Sequence, residues 1–282
     1  MYLEISFYGQ LQILSSEMES LAAIIWNVDR EIVSFGNFAL RWYGLLFALG
    51  FVLGYQIMYG IFKNEGKTQK QLDKLSITMI ISTVIGARLG HCFFYEPEYY
   101  LSNPIAILKI WEGGLASHGA AIAILIGLFL YVRNQKDISL MWLLDRIVIV
   151  IPLAGALIRL GNFFNSEIYG IPTDVPWAVI FQKVDDIPRH PVQLYESFSY
   201  LIIFIILYFT YKYKFNKLKP GFLFGLFLVT VFGARFILEF YKSLQSDLEL
   251  GMPLRMGQIL SIPFVIIGLY FILRKLKKIK FY

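Results

Sequence analysis

One short run of this chain carries an unusual density of reactive side chains. Arg159-Leu160-Gly161-Asn162-Phe163-Phe164-Asn165-Ser166-Glu167-Ile168-Tyr169-Gly170 follows directly on the apolar stretch 147–158. An arginine is always charged, and its planar fork matches phosphate or carboxylate oxygens. Next to a long apolar stretch such a charge is costly unless it is paired or wet, and charges kept there usually serve function. Arg235 stands in a similar apolar setting, four residues before Glu239. Two readings apply to it: an anion ligand, or a helical ion pair with Glu239 one turn along. His118, flanked by Gly113, Gly114 and Gly119, has the side chain suited to proton transfer near neutral pH. A lone histidine at a helix end is also commonly just a satisfied polar group. Asn162, Asn165 and Glu167 would orient an arginine or a polar headgroup, or else cap a helix terminus. Tyr43, Glu196 and Gly170 complete the candidates.

The elements that must position these groups are membrane helices. The 282 residues are 57% hydrophobic and 16% charged, with a mean hydropathy of +0.60. Soluble domains carry nearer a quarter charged residues, so the composition points to an integral membrane protein. Seven apolar segments are expected to span the bilayer: 42–62, 75–94, 115–132, 142–164, 194–211, 221–241 and 256–273. The predicted fold is therefore all-α, a single polytopic domain. It has an interfacial arm over residues 1–41, a seven-span core over 42–273 and a basic tail over 274–282. The first 20 residues hold Glu4, Glu17 and Glu19 and no basic residue, which argues against a cleavable signal peptide.

Charge sets the expected orientation. One set of connections holds Lys63, Lys67, Lys70 and Lys74, then Arg133 and Lys136, then Lys212, Lys214, Lys217 and Lys219, then the tail. The positive-inside rule puts this set in the cytoplasm. The N-terminus and the long loop between spans 4 and 5 then face outward. The net charge of +6 reads as a topology signal rather than a nucleic-acid surface. With that orientation Tyr43, Arg88, His91, His118, Arg159, Asn162, Glu196, Arg235, Glu239 and Gln258 all fall in the outer third. A single wet cavity near the outer headgroups is the expected site. Asp145 and Arg146 are the exception, near the inner end of span 4. Cys92 is the sole cysteine, a packing residue by this reading, and no spacing suggests a metal centre.

Several blocks together resemble the prolipoprotein diacylglyceryl transferase family of bacterial inner-membrane enzymes. They are Arg41-Trp42-Tyr43-Gly44, the block Trp111-Glu112-Gly113-Gly114-Leu115-Ala116-Ser117-His118-Gly119, and the run 159–170. Arg189-His190-Pro191 with Gln193-Leu194-Tyr195-Glu196, Ala234-Arg235 with Glu239, and Met256-Gly257-Gln258-Ile259-Leu260-Ser261 complete the series. The resemblance implies a bacterial cytoplasmic-membrane protein with seven spans, N-terminus outside and C-terminus in the cytoplasm. It implies transfer of the diacylglyceryl group of phosphatidylglycerol to the lipobox cysteine of a prolipoprotein signal peptide. A thioether would form, glycerol-1-phosphate would leave, and no cofactor or metal would be needed. His118, Arg159, Arg235 and Tyr43 become the catalytic candidates. Asn162, Glu167, Gly170, Glu239 and Glu196 become the substrate-binding candidates.

Three positions depart from the family pattern. Ile158 and Ala120 stand where glycine is usual, and Val231 where tyrosine is common. Neither Ile158 nor Ala120 removes a polar group, so an active transferase with a locally adjusted pocket is expected. Two alternatives remain at this level. One is a relative that binds phospholipid or signal peptide without transfer. The other is an anion transporter, which would continue its polar groups to the inner side and break its helices near midplane, as Pro152 and Gly155 in span 4 allow.

Overall fold

A computed structural model describes residues 23–35, 38–110, 113–244, 249 and 251–274. The first 22 residues of the expected arm, Trp111 and Glu112 of the histidine block, and the tail from Lys275 onward lie outside the described residues. The chain runs β1 (Ile24–Trp26), β2 (Glu31–Phe35), β3 (Phe38–Arg41), α1 (Trp42–Asn64), α2 (Gln69–Phe94) and α3 (Pro97–Ser102). There follow α4 (Ser117–Arg133), α5 (Leu140–Phe164), β4 (Val179–Phe181), β5 (Pro188–Arg189), α6 (Val192–Lys214), α7 (Phe222–Leu238) and α8 (Met256–Leu273). Among the described residues six helices are long and apolar enough to cross a membrane: α1, α2, α5, α6, α8 and α7 with its 310 extension to Tyr241. The third expected span appears as α4, a shorter apolar helix of 17 residues.

The helix bounds follow local chemistry. α2 begins six residues before its apolar run because Thr68 caps it. Thr68 Oγ1 accepts from the Gln71 amide at 3.3 Å, and Gln71 Oε1 accepts from the Thr68 amide at 2.9 Å, a reciprocal box that satisfies two end donors. Pro152 lies inside α5 without ending it, as membrane helices tolerate when neighbours take up the freed carbonyl.

The chain forms two compact units, Tyr55–Ile147 and Met1–Gly54 with Val148–Tyr282. In the first, α2 and α4 pack backbone to backbone. A Cβ placed on Gly119 would stand 2.3 Å from the Gly86 carbonyl oxygen and 2.6 Å from Gly90 Cα. Gly86 and Gly90 are spaced as a small-xxx-small face, which permits such an approach where the lipid itself gives no hydrophobic drive. Ala120 is buried in the same contact. At the other end of these helices Arg146 Nη2 meets Glu65 Oε2 at 2.8 Å, and Trp142 Nε1 donates to the same oxygen at 2.7 Å. Arg146 also lies 3.9 Å from Asp145. The Asp145–Arg146 pair flagged from sequence is thus partnered within its own unit.

In the second unit β1 pairs in parallel with β4, and β4 antiparallel with β5. Phe163, Val179 and Phe181 form its core, with Trp26, Tyr169 and Leu194 against them. This small sheet fastens the long 165–193 loop to the end of α5. The expected arm therefore contributes a strand, as well as the hairpin β2–β3. α7 and α8 repeat the close packing of α2 and α4: a Cβ on Gly225 would come 2.7 Å from the Gly268 carbonyl oxygen.

These contacts give a stability test. Gly119→Ala forces a methyl into backbone atoms and is expected to cost about 1–3 kcal/mol, read as a thermal midpoint in detergent lowered by several degrees. Gly60→Ala, whose added Cβ would have nothing within 4 Å, is the control and should leave the midpoint unchanged or slightly raised.

Candidate active site

The site is built in the unit that contains the 159–170 run, at the end where α5 and α7 finish and α6 and α8 begin. Arg159, in the last turns of α5, places Nε 2.9 Å from Glu196 Oε2. Its Nη1 donates to Asn162 Oδ1 at 3.2 Å. This fixes the amide so that Asn162 Nδ2 donates to Glu167 Oε1 at 2.7 Å, joined there by Asn165 Nδ2 at 3.3 Å. The asparagines thus connect Arg159 to Glu167. Tyr43, at the start of α1, packs on α5 where Gly161 has no side chain; a Cβ there would lie 2.9 Å from Tyr43 Cδ2.

Glu196 Oε1 also meets Lys242 Nζ at 2.8 Å, and Lys242 reaches Glu239 Oε2 at 3.3 Å. All three of these side chains are 5% exposed or less. The four charges alternate in sign: Arg159, Glu196, Lys242, Glu239. Buried ions persist when paired in this way, whereas removing one partner strands its neighbour in a medium that cannot solvate it. Arg255 supports the set from the start of α8, donating to the carbonyls of Glu239, at 2.8 Å, and of Lys242. Gly257 packs on the Glu239 carboxylate, where a Cβ would stand 2.4 Å from Oε2.

Arg235 is the outlier. The Glu239 amide donates to the Arg235 carbonyl, so the two side chains share one helical face. The ion pair, the second of the two readings of Arg235, does not form, because Glu239 turns to Lys242. Arg235 Nε is buried without a hydrogen-bond partner. Among the described residues no carboxylate pairs with Arg235. Tyr200, nearly buried, stands within electrostatic reach of both Arg159 and Arg235.

The loop after α5 is strained. Ser166 and Ile168 have φ of 55° and 56°, a region that β-branched residues rarely enter. Gly170 closes the loop onto two other segments. Its amide donates to the His190 carbonyl at 2.9 Å, and the Ile171 amide donates to the Tyr241 carbonyl at 2.9 Å. Ser243 Oγ returns to the Gly170 carbonyl at 2.8 Å. A Cβ on Gly170 would meet the His190 oxygen at 2.5 Å and the Tyr241 oxygen at 2.7 Å. Nearby, Trp177 Nε1 donates to Tyr195 Oη at 2.7 Å, and that hydroxyl lies 3.1 Å from His190 Nδ1. Partial burial pushes the His190 imidazole below its usual pKa.

His118 belongs to the other unit. It sits exposed on the first turn of α4, against Phe94 at 5.5 Å and Tyr95 at 5.6 Å between ring centres. Among the described residues its ring nitrogens make no hydrogen bond. Arg88 has a different fate. Its guanidinium donates to the carbonyls of Ala106, Ile107, Gly113 and Gly114 at 2.6, 2.9, 2.5 and 3.4 Å. It holds the loop that leads to His118. Among the described residues no group of three or more His, Cys, Asp or Glu is placed to hold a metal ion.

The structure therefore joins Arg159, Asn162, Glu167, Glu196 and Glu239 in one network, with Gly170 pinning its loop. Tyr43 packs beside Arg159, and among the described residues Arg235 has no carboxylate partner. Lys242 and Arg255 were not among the sequence candidates. Both carry cations in connecting segments, where a solvated side chain is the ordinary expectation. Only the spacing of Glu239 and Lys242, three residues apart, hinted at contact.

Fold and site define a multi-pass membrane protein with a buried ion network and, beside it, an arginine that has no carboxylate partner among the described residues. Residues 30–274 match the family model described as prolipoprotein diacylglyceryl transferase. The chain is 51% identical over 255 residues to the phosphatidylglycerol–prolipoprotein diacylglyceryl transferase of Tolumonas auensis, covering 90% of this chain and 98% of the relative. It is 50% identical over 262 residues to the protein of the same name from Chloroherpeton thalassium, covering 93% and 97%. For the Bacteroides fragilis protein the identity is 43% over 263 residues, covering 89% and 95%. The chain belongs to the prolipoprotein diacylglyceryl transferase family.

Two outcomes are expected at the Gly170 junction. Gly170→Ala should free the 165–193 loop, seen as faster limited proteolysis within it. In the unaltered protein His190 has its folded pKa depressed, so its contribution to stability is present above the unfolded value of about 6.5. That contribution is lost as pH falls through the lower folded value. Loop proteolysis should therefore rise between about pH 7 and pH 5, and His190→Phe should flatten that rise.

Proposed function

We propose that this protein transfers the diacylglyceryl group of phosphatidylglycerol to the lipobox cysteine of prolipoprotein signal peptides. The observation that carries the reading is Arg235. An arginine with no carboxylate partner among the described residues, beside a self-neutralised ion network in a chain of this family, is suited to an anionic headgroup. Arg159 is the second phosphate ligand, held at the same end by Glu196 and Asn162. Glu196 and Glu239 serve headgroup binding through the cations that they hold. Glu167 offers its carboxylate to the headgroup glycerol. Tyr43 closes the site beside Arg159, and Gly170 keeps the loop in place.

The reaction is a displacement at carbon. The substrate thiol, of pKa about 8.5, must lose its proton to become a competent nucleophile. His118 takes that proton; its ring is exposed and, among the described residues, makes no competing hydrogen bond. Sulfur bonds to the glyceryl carbon of the lipid as the bond from that carbon to the phosphate oxygen breaks. Glycerol-1-phosphate leaves with its charge stabilised by Arg159 and Arg235. Lipid and signal peptide supply the reacting groups, so the protein's own Cys92, fully buried, takes no part. The phospholipid is already an activated donor, and the scheme uses no cofactor.

The same reading gives the protein seven spans, with α4 as the third, in the bacterial cytoplasmic membrane. A helix of 17 residues rises about 26 Å, near the thickness of the apolar core, and the apolar Leu115 and Ala116 precede it. The N-terminus faces outward and the C-terminus lies in the cytoplasm, which is the orientation the basic connections favour.

The test is purified protein with a lipobox peptide and phosphatidylglycerol, measuring released glycerol phosphate and thioether product. Arg159→Lys and Arg235→Lys each keep the charge and lose the fork, and each should reduce kcat/KM on the order of 10²-fold. His118→Gln should retain lipid binding, lose the chemical step, and recover rate with raised pH more steeply than the unaltered enzyme. Folded protein that binds lipid but makes no thioether, in wild type and in Ile158→Gly and Ala120→Gly alike, would overturn the transferase reading in favour of a binding relative.

A further inference from the structure

We infer that Lys242 is a positioning residue that keeps Arg235 available by holding Glu239 away from it. The inference rests on the reading of Arg235 as a phosphate ligand and adds how that ligand is kept unpaired. Helical backbone continues from Arg235 to Glu239, since the Glu239 amide donates to the Arg235 carbonyl. Residues four apart on such a face are natural ion-pair partners. With no other pull, Glu239 would neutralise Arg235 and compete with any incoming anion. Two features prevent this. Lys242 Nζ lies 3.3 Å from Glu239 Oε2, and the bare face of Gly257 lets the carboxylate lie where a Cβ would be 2.4 Å away.

Lys242 is itself fixed from two directions. Its ammonium is shared with Glu196 at 2.8 Å. Its backbone bridges Gly170 in antiparallel fashion, with Tyr241 and Ser243 bonded to the 169–171 segment. The 159–170 run thus acts on Arg235 at a distance. Gly170 admits residues 241–243, these set Lys242, Lys242 takes Glu239, and Arg235 is left open.

The experiment reads Arg235 directly. Folded protein in detergent micelles is treated with phenylglyoxal, which modifies free guanidinium groups, and the Arg235 peptide is followed by mass spectrometry. In Lys242→Met the freed Glu239 should pair with Arg235, slowing its modification roughly fivefold or more. Lys242→Arg should preserve the fast rate, and Lys242→Met with Glu239→Gln should restore it. Gly257→Ala provides a second route should Lys242→Met fold poorly. It displaces the Glu239 carboxylate while leaving Lys242, and should also slow the reaction. An unchanged Arg235 rate in both Lys242→Met and Gly257→Ala, or no recovery in the double variant, would overturn the inference.

Transfer assays on the same variants separate this inference from the function it rests on. If Arg235 binds the lipid phosphate, Lys242→Met should raise the KM for phosphatidylglycerol roughly tenfold with kcat little changed. The double variant should lower the KM again. A labelling pattern that follows the inference with KM unmoved throughout would leave the positioning of Arg235 standing and remove Arg235 as the lipid ligand.

Discussion

The structure of the site depends on one ammonium group placed between two buried carboxylates. Lys242 neutralises Glu196 and Glu239 at once, and Glu196 in turn steadies Arg159. Ions this deeply buried lose most of their hydration, and truncating one typically costs about 3–5 kcal/mol because its partner is stranded. Such a network is therefore weak evidence for stability and better evidence for placement. It spends its attraction internally and, among the described residues, leaves Arg235 outside it.

Two helices of this chain carry the same tetrapeptide pattern, and they show what makes an arginine functional or structural. Gly86-Ala87-Arg88-Leu89 in α2 and Gly233-Ala234-Arg235-Phe236 in α7 each put an arginine late in an apolar helix. Each helix also packs closely on a neighbour through glycines. At Arg88 the following chain doubles back, and four carbonyls accept from the guanidinium. Those bonds engage all three of its nitrogens, and the residue is a staple for the loop before His118. At Arg235 the following chain turns into Glu239 and Lys242, which bind one another. The local sequence is alike; the fate of the donors is set by what comes next.

Much of the architecture was legible in the sequence. Apolar length located the long helices to within about three residues at each end, the start of α2 excepted, because a bilayer imposes its thickness on the chain. Of the ten residues expected at one level, Arg159, Asn162, Glu196 and Glu239 share a network with Arg235 on the adjoining helical face, whereas Arg88, His91 and His118 fall in the other unit. Three things were not legible. The start of α2 extends into polar residues because Thr68 and Gln71 cap one another, a side-chain effect that hydropathy does not register. β1 is three residues long and pairs with β4 some 150 residues later, so no local pattern announces it. Lys242 sits in a connecting segment, and nothing in its neighbours marks it as buried. Its burial follows from a backbone bridge to Gly170 that only the fold supplies.

The strain at Ser166 and Ile168 belongs to the same logic. A β-branched residue at positive φ costs on the order of 1–3 kcal/mol and persists only where surrounding contacts over-determine it. Those contacts are visible on both sides of the turn. Upstream, the Ser166 and Glu167 amides bond to the Phe163 and Asn162 carbonyls, and Asn162 and Asn165 grip the Glu167 carboxylate. Downstream, Gln193 Nε2 holds the Glu167 carbonyl at 2.8 Å, and Gly170 is clasped by His190 and Tyr241. A relaxed turn would let the chain leave α5 in another direction and would carry Gly170 away from residues 241–243. The unfavourable dihedrals are thus what brings the end of α5 and the end of α7 together. The density of polar residues in the 159–170 run reflects the number of bonds needed to hold that turn as much as the chemistry done beside it.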